Sequence, residues 1–311
     1  MLGRFLVDLF KHGIGGTLNP EMRSGQTVEQ IPGLQSTNVI ALDEINCLVK
    51  GRHGWFLANR YDEYLGRALT VYGEYAELEH EFLCSLLRTG DHVIEVGANI
   101  GTHTVGLAKA VGPGGGVVAI EPQPTIFRVL CANLALNGLA NVTPLALGCG
   151  AQKATMSIPA VDYHVCAAHN SGGVSLEPPG EGVLVTVMPI DEMFEASFSV
   201  ELLKVDVEGM EKEVLEGASR VIEQQRPLLY VENDRVEKSQ VLVEWIMAAG
   251  YRLWWHTPTL FNANNFFGVS ENIYKNFISL NMLCVPKETA LPVVNQLEEL
   301  TESGYHVFRG Y

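Results

Sequence analysis

Four carboxylates, Glu95, Glu121, Asp206 and Glu232, each stand within or just beyond a short apolar run of this 311-residue chain. The runs are His92 to Val96, Val117 to Ile120, Leu202 to Val205 and Leu228 to Val231, and each reads as a buried strand. Ligands in open α/β sheets sit outside the carboxyl ends of the strands, so acids at four strand ends converge on one crevice. Burying each of them unpaired would cost several kcal/mol, which favours a ligand over a purely structural role.

The first acid opens a tight turn, Glu95-x-Gly97-Ala98-Asn99-x-Gly101, that leads from a strand into a helix predicted over Thr102 to Val111. Gly97 allows a positive φ, and Gly101 lets the helix N-terminus approach a ligand. Asn99 and the N–H groups of Gly97 to Gly101 are expected to take a carboxylate. The spacing is not that of a dinucleotide fingerprint, Gly-x-Gly-x-x-Gly. An acid beside the turn repels pyrophosphate and suits an ammonium group. Glu121, 24 residues beyond Gly97, sits where a ribose diol is held. An amino-acid end and a ribose together describe S-adenosylmethionine. The alternatives are an NAD-dependent oxidoreductase on the same Rossmann-like fold, disfavoured by the missing third glycine, and a cofactor-binding, non-catalytic partner subunit, against which the intact acids weigh.

Four blocks carry a family resemblance: the Glu95 to Gly101 turn, Glu121-Pro122-x-Pro124, Asn133…Asn137, and Lys204-x-Asp206-x-Glu208-Gly209-x-Glu211 followed by Arg226-Pro227…Glu232. Together, over about residues 72–286, they resemble the FkbM family of S-adenosylmethionine-dependent methyltransferases. The resemblance implies a class I methyltransferase fold: α/β, Rossmann-like, a mostly parallel seven-stranded sheet with helices on both faces and an antiparallel edge strand. It also implies O-methylation, here of a small hydroxylated acceptor such as a sugar, glycan residue or natural product. The cofactor residues would be Tyr75, Glu95, Gly97, Ala98, Asn99, Gly101, Glu121, Pro122 and Asp206, with Tyr72 and Tyr75 as lids on the methionine end.

Methyl transfer from a sulfonium is an in-line displacement, so alignment supplies much of the rate and a hydroxyl acceptor must also lose its proton. Lys204 and Asp206 share a strand face and are expected to form an ion pair. Asp206, Glu208 and His103 are the candidate catalytic groups, with Asp206 as general base. The competing role for Asp206 is as ligand, with Glu232 and Asn233, of a divalent ion such as Mg²⁺. The candidate substrate contacts are His164, His169, Glu232, Asn233 and His256.

The positioning elements follow from periodicity. Residues 1–70 form an N-terminal extension, a cap or oligomer contact, with a short amphipathic helix around Leu2, Leu6, Leu9 and Phe10 and short strands at Val39 to Leu42 and Cys47 to Lys50. Residues 71–287 form the cofactor domain. It begins with a helix from Ala76 to Leu87 whose apolar face is Leu78, Phe82, Leu83 and Leu86, and a second helix runs from Ile126 to Leu136. Val142 to Leu147 is a third strand, and Gly148 to Gly150 opens the chain beside an adenine ring. Ala154 to Ile158 and Val183 to Met188 form an antiparallel insertion. One helix joins the fourth and fifth strands, and another spans Val241 to Ala249. The last two strands are Tyr251 to His256 and Met282 to Val285. Residues 159–182 and 257–280 are substrate loops. Residues 288–311 form a helical tail, with Leu291, Val294, Leu297 and Leu300 on one side and a possible homodimer contact on the other.

Composition narrows the class. A net charge of −15 argues against a nucleic-acid or anionic-membrane partner, both of which need a basic footprint. Hydrophobic residues at 47% and charged residues at 18% suit a large globular core. The six cysteines form no C-x-x-C pair and sit mostly among apolar residues, as reduced core thiols do. With no apolar stretch approaching about 20 residues, the expectation is a cytoplasmic protein with no membrane span.

Overall fold

The computed structural model describes residues 38–302, apart from 161–162, 164–169, 171 and 196–197. The expected helix near the N-terminus, His164 and His169 lie outside the described residues.

A three-stranded antiparallel sheet comes first: β1 (Val39–Ala41), β2 (Asn46–Lys50) and β3 (Trp55–Asn59). Helices α1 (Leu65–Tyr72) and α2 (Glu77–Ser85) lead to β4 (His92–Val96), α3 (Thr102–Val111), β5 (Gly116–Ile120), α4 (Pro124–Leu136) and β6 (Val142–Leu145). A side sheet follows, with β7 (Gly148–Cys149), β8 (Ala154–Ile158) and β9 (Val183–Met188). β8 and β9 pair antiparallel as expected. The chain then runs through α5 (Ile190–Met193), β10 (Leu202–Val205), α6 (Glu211–Glu216), α7 (Ser219–Gln225), β11 (Leu228–Glu232), α8 (Val236–Ala248), β12 (Tyr251–His256), β13 (Asn281–Pro286) and β14 (Glu298–Leu300).

The central sheet has the order β14-β12-β13-β11-β10-β4-β5-β6. β11, β10, β4, β5 and β6 are parallel, whereas β13 is antiparallel to both neighbours. Residues of β4, β5 and β10 are buried on both faces, which explains their continuous apolar runs. Ile94, Val118, Leu203 and Leu229 pack under α6, α7 and α8; Val93, Val117 and Leu202 pack under α2 and α3.

The fold class stands, with particular differences. The sheet has eight strands, because the tail is not a helix: Pro292–Gln296 make a short 3₁₀ turn and Glu298–Leu300 add to β12. β14 covers the edge of β12 that would otherwise offer unpaired peptide groups, and Arg252 forks onto Glu299 at 2.8–2.9 Å to fix the register. The single helix expected after the fourth strand is two, α6 and α7. In α2 the apolar-face reading holds for Leu83, with Phe82 and Leu86 packed beside it, but Leu78 is exposed, while Glu77, Glu79 and His80 turn inward.

Two asparagines join the small sheet to the cofactor turn. Asn133 Oδ1 accepts from Leu57 N–H at 2.6 Å, and its Nδ2 donates to the carbonyls of Leu57 (3.2 Å) and Ile100 (2.8 Å). One helical turn later Asn137 treats Trp55 the same way, at 3.0 and 2.7 Å.

Candidate functional site

A cavity of about 310 Å³ opens at the carboxyl ends of β4, β5, β10 and β11, within the size range of small-molecule sites. Glu95, Glu121, Asp206 and Glu232 all line it, so the four strand-end acids meet in one space. Gly97, Ala98, Asn99 and Pro122 form its floor. Gly97 has φ +85°, and a Cβ there would collide with the Asp206 carbonyl oxygen, so only glycine lets the turn pass β10.

The turn does not present its own N–H groups to a ligand. Gly97 and Ala98 donate to the Ile120 carbonyl at 2.9 and 3.0 Å, Asn99 to Glu121 Oε2 at 3.0 Å, Ile100 to Asn99 Oδ1 at 2.8 Å, and Gly101 to the Ala98 carbonyl at 2.9 Å. The expected carboxylate cradle is therefore used up in folding the turn back on β5. The first residues of α3, Thr102 and His103, line the cavity instead, at the positive end of the helix dipole. Gly101 is away from the cavity and packs against Leu130 of α4.

Glu121 is 4% exposed, and its two oxygens accept from the main chain of Asn99 and Gln123, which leaves lone pairs for a diol. Burial pushes its carboxyl up to about 7. Glu95 lies deeper and accepts from Thr104 Oγ1 at 2.6 Å; burial raises it to about 7 while Lys204 pulls the other way. Lys204 Nζ donates to Asp206 Oδ2 at 2.9 Å, the ion pair expected from the sequence. Glu208 also lines the cavity, in a left-handed conformation (φ +57°) that its main chain holds by accepting from Ser175 Oγ. Its side chain pairs with Arg235, and burial followed by the Asp206 charge raises its carboxyl to about 7.

Several expected contacts fall elsewhere. Tyr75 lines the cavity, edge-on to His103, but Tyr72 is tied to the 257–280 segment through Glu271 and Ile273. His256 stacks on Phe82 and bonds Tyr230 Oη through Nδ1 at 2.7 Å, away from the cavity. Asn233 Nδ2 donates to Ser239 Oγ and meets the Met282 sulfur, so it faces the core rather than a substrate. His103 does line the cavity, yet burial and then the Lys204 charge drive its pKa well below the ordinary range. Burial therefore favours the neutral imidazole, whose Nε2 lies 3.8 Å from Glu79 Oε1.

The carboxylates close enough to share one cation among the described residues are Glu208, Glu232 and Asp234, in place of the anticipated Asp206, Glu232 and Asn233. The two long loops expected to meet the substrate supply Asn170, Gly172 and Leu176 from one side and Phe277, Ser279 and Leu280 from the other. Sequence reasoning missed Glu79, a buried carboxylate on α2 that also lines the cavity. Its one sequence signal is a pair of acids, Glu77 and Glu79, two positions apart beside His80.

These residues fit S-adenosylmethionine: a buried carboxylate with open lone pairs suits a ribose diol, glycine stands where a Cβ would obstruct the turn, and an excess of acids suits a cationic cofactor. A family model described as the methyltransferase FkbM domain matches residues 95–253, a little over half the chain. No curated protein matches. Among solved structures, the chain is similar to a methyltransferase FkbM from Methylobacillus flagellatus (19% identity, TM-score 0.44), covering 64% of this chain and 45% of that one. A SAM-dependent O-methyltransferase from Thermotoga maritima aligns at 14% identity and TM-score 0.42, over 69% and 66% of the two chains. The O-methyltransferase TomG from Streptomyces achromogenes aligns at 12% and 0.41, over 68% and 79%. The chain thus spans under half the length of the first of these proteins.

Proposed function

The chain belongs to the FkbM methyltransferase family, and from that premise we propose that it methylates a hydroxyl of a small acceptor, a sugar, glycan residue or natural product. S-Adenosylmethionine supplies the activated methyl group. The chain's own residues do the rest. Glu121 holds the ribose diol, Glu95 faces the ammonium, and the start of α3 with Asn99 favours the carboxylate.

The observation that carries the reading is the Lys204-bound Asp206 at the junction of the cofactor acids and the loop-built wall. An ammonium fixes the carboxylate's orientation, and Asp206 accepts the hydroxyl proton as the methyl is transferred. Glu208, Glu232, Asn170 and Ser279 line the same cavity and offer acceptors and a hydroxyl suited to binding a polyhydroxylated molecule. Asn170, residues 172–174, Leu176 and residues 277–281 wall the cavity and exclude water from the displacement.

The test begins with calorimetric titration of S-adenosylhomocysteine beside NAD⁺, then screens radiolabelled S-adenosylmethionine against hydroxylated acceptors. Micromolar binding of the first alone, followed by base-stable label on an acceptor oxygen, supports the reading. Binding of NAD⁺, or transfer only to amines, rejects it.

A further inference from the structure

β10 and β4 pair in register so that Lys204 stands beside Glu95, on the face roofed by α2 and α3. The Lys204 side chain is 2% exposed and donates to Asp206 Oδ2, and the carboxylates of Glu95 and Glu79 also act on it. Glu79 reaches in from α2. It is 4% exposed, and its Oε2 accepts from Asn281 Nδ2 at 3.1 Å. Thr104 serves Glu95 and Asn281 serves Glu79, but a hydroxyl and an amide bring no charge.

Burial disfavours the charged forms of the other titratable groups around Glu79, His103 Nε2 at 3.8 Å among them. Burial drives His80 on α2 and His103 on α3 far down, and it pushes the phenols of Tyr75 and of Tyr230 on β11 well up. One ammonium therefore faces three carboxylates, and burial raises the carboxyls of both Glu95 and Glu79. A buried surplus of this kind demands protons or cations. The methionine end of S-adenosylmethionine carries two cationic centres, the α-ammonium and the sulfonium. S-Adenosylhomocysteine carries only the first.

We propose that the Lys204-centred cluster reads the charge of the cofactor, and that Glu79 is the residue that makes the site prefer cationic S-adenosylmethionine to its neutral-sulfur product. The inference rests on the S-adenosylmethionine reading of the cavity. When the sulfur–methyl bond breaks, its electron pair stays on sulfur and the positive charge disappears. Once Asp206 has passed the acceptor's proton to solvent, the cluster regains one unbalanced carboxylate, and the product is released more readily than the donor.

The experiment is calorimetric titration of the full chain at pH 8 with two unreactive probes. Sinefungin carries an amine in place of the sulfonium, and S-adenosylhomocysteine is neutral there. The wild type should bind sinefungin about tenfold or more tightly than S-adenosylhomocysteine. In Glu79→Gln, which keeps an acceptor for Asn281, the ratio should fall toward one through loss of sinefungin affinity. Ligand-free Glu79→Gln should melt at or above the wild-type temperature at pH 8, because a surplus buried charge is gone. A wild-type ratio near one, or an unchanged ratio in the variant, overturns the inference and leaves the cofactor assignment standing. A lower melting temperature with equal loss of both ligands shows a structural role and also overturns it. Binding of neither probe by the wild type overturns the cofactor assignment and the inference together.

Discussion

Replacing Glu95 by glutamine should make the ligand-free protein more stable at alkaline pH and a poorer cofactor binder. Burial raises the Glu95 carboxyl to about 7 from an ordinary 4.5, against the pull of Lys204 and Thr104. Between those two values the folded chain keeps a proton that the unfolded chain has lost. Stability from this residue is therefore fully present below about 4.5, falls as pH rises through the window, and levels off above about 7. The swing corresponds to about 3 kcal/mol. Glutamine keeps an acceptor for Thr104 Oγ1 and has no proton to lose, while Lys204 retains Asp206 and Glu79. Urea denaturation of both proteins at pH 5 and pH 8 measures the effect. The variant should be close to wild type at pH 5 and more stable by up to about 3 kcal/mol at pH 8. A difference that does not change with pH, or a variant less stable at pH 8, would refute the reasoning by showing that Lys204 already holds Glu95 ionised at no cost.

Three further outcomes are expected. Glu121→Ala should weaken S-adenosylhomocysteine binding by roughly 1.5–3 kcal/mol in calorimetry, the scale of a hydrogen bond to a charged group, and unchanged affinity would end its ribose role. Asp206→Asn should bind S-adenosylhomocysteine with unaltered stoichiometry while methyl transfer to the identified acceptor drops at least about a hundredfold, in the range of lost general-base catalysis; full activity removes Asp206 from proton transfer. Asn133→Ala strands the peptide groups of Leu57 and the Ile100 carbonyl, and should cost roughly 3 kcal/mol or more in urea denaturation. A loss under about 1 kcal/mol would mean that water replaces the amide.

The strands and the cofactor turn were legible because their signals are local: continuous apolar runs, glycines at fixed offsets, and acids at the ends. What escaped was decided by distant partners. Glu79 is buried because Lys204, more than a hundred residues later, supplies a cation beneath α2. The spacing of Leu291, Val294, Leu297 and Leu300 fits a helix, yet the otherwise open edge of β12 and the Arg252–Glu299 fork recruit the last of them into a strand. His256 and Asn233 stand at the right strand ends to face a ligand, but Phe82, Tyr230 and Ser239 capture their side chains first. The N–H groups of the turn look available in sequence because nothing local reveals that the Ile120 carbonyl takes two of them.

Asn133 of α4 and Asn137, which caps its C-terminus, also solve a problem of aggregation. Residues four apart on a helix rise about 6 Å, close to the about 6.6 Å between alternate residues of a strand. The amides of Asn133 and Asn137 thus meet Leu57 and Trp55 with the donor–acceptor spacing of a missing neighbour strand. A helix stands in for a strand, and the outer flank of β3 is closed to any other chain. An unsatisfied flank there would be a template for edge-to-edge addition. Removing both amides would therefore convert an internal seam into an adhesive surface, and the damage would appear as concentration-dependent association as well as lost stability.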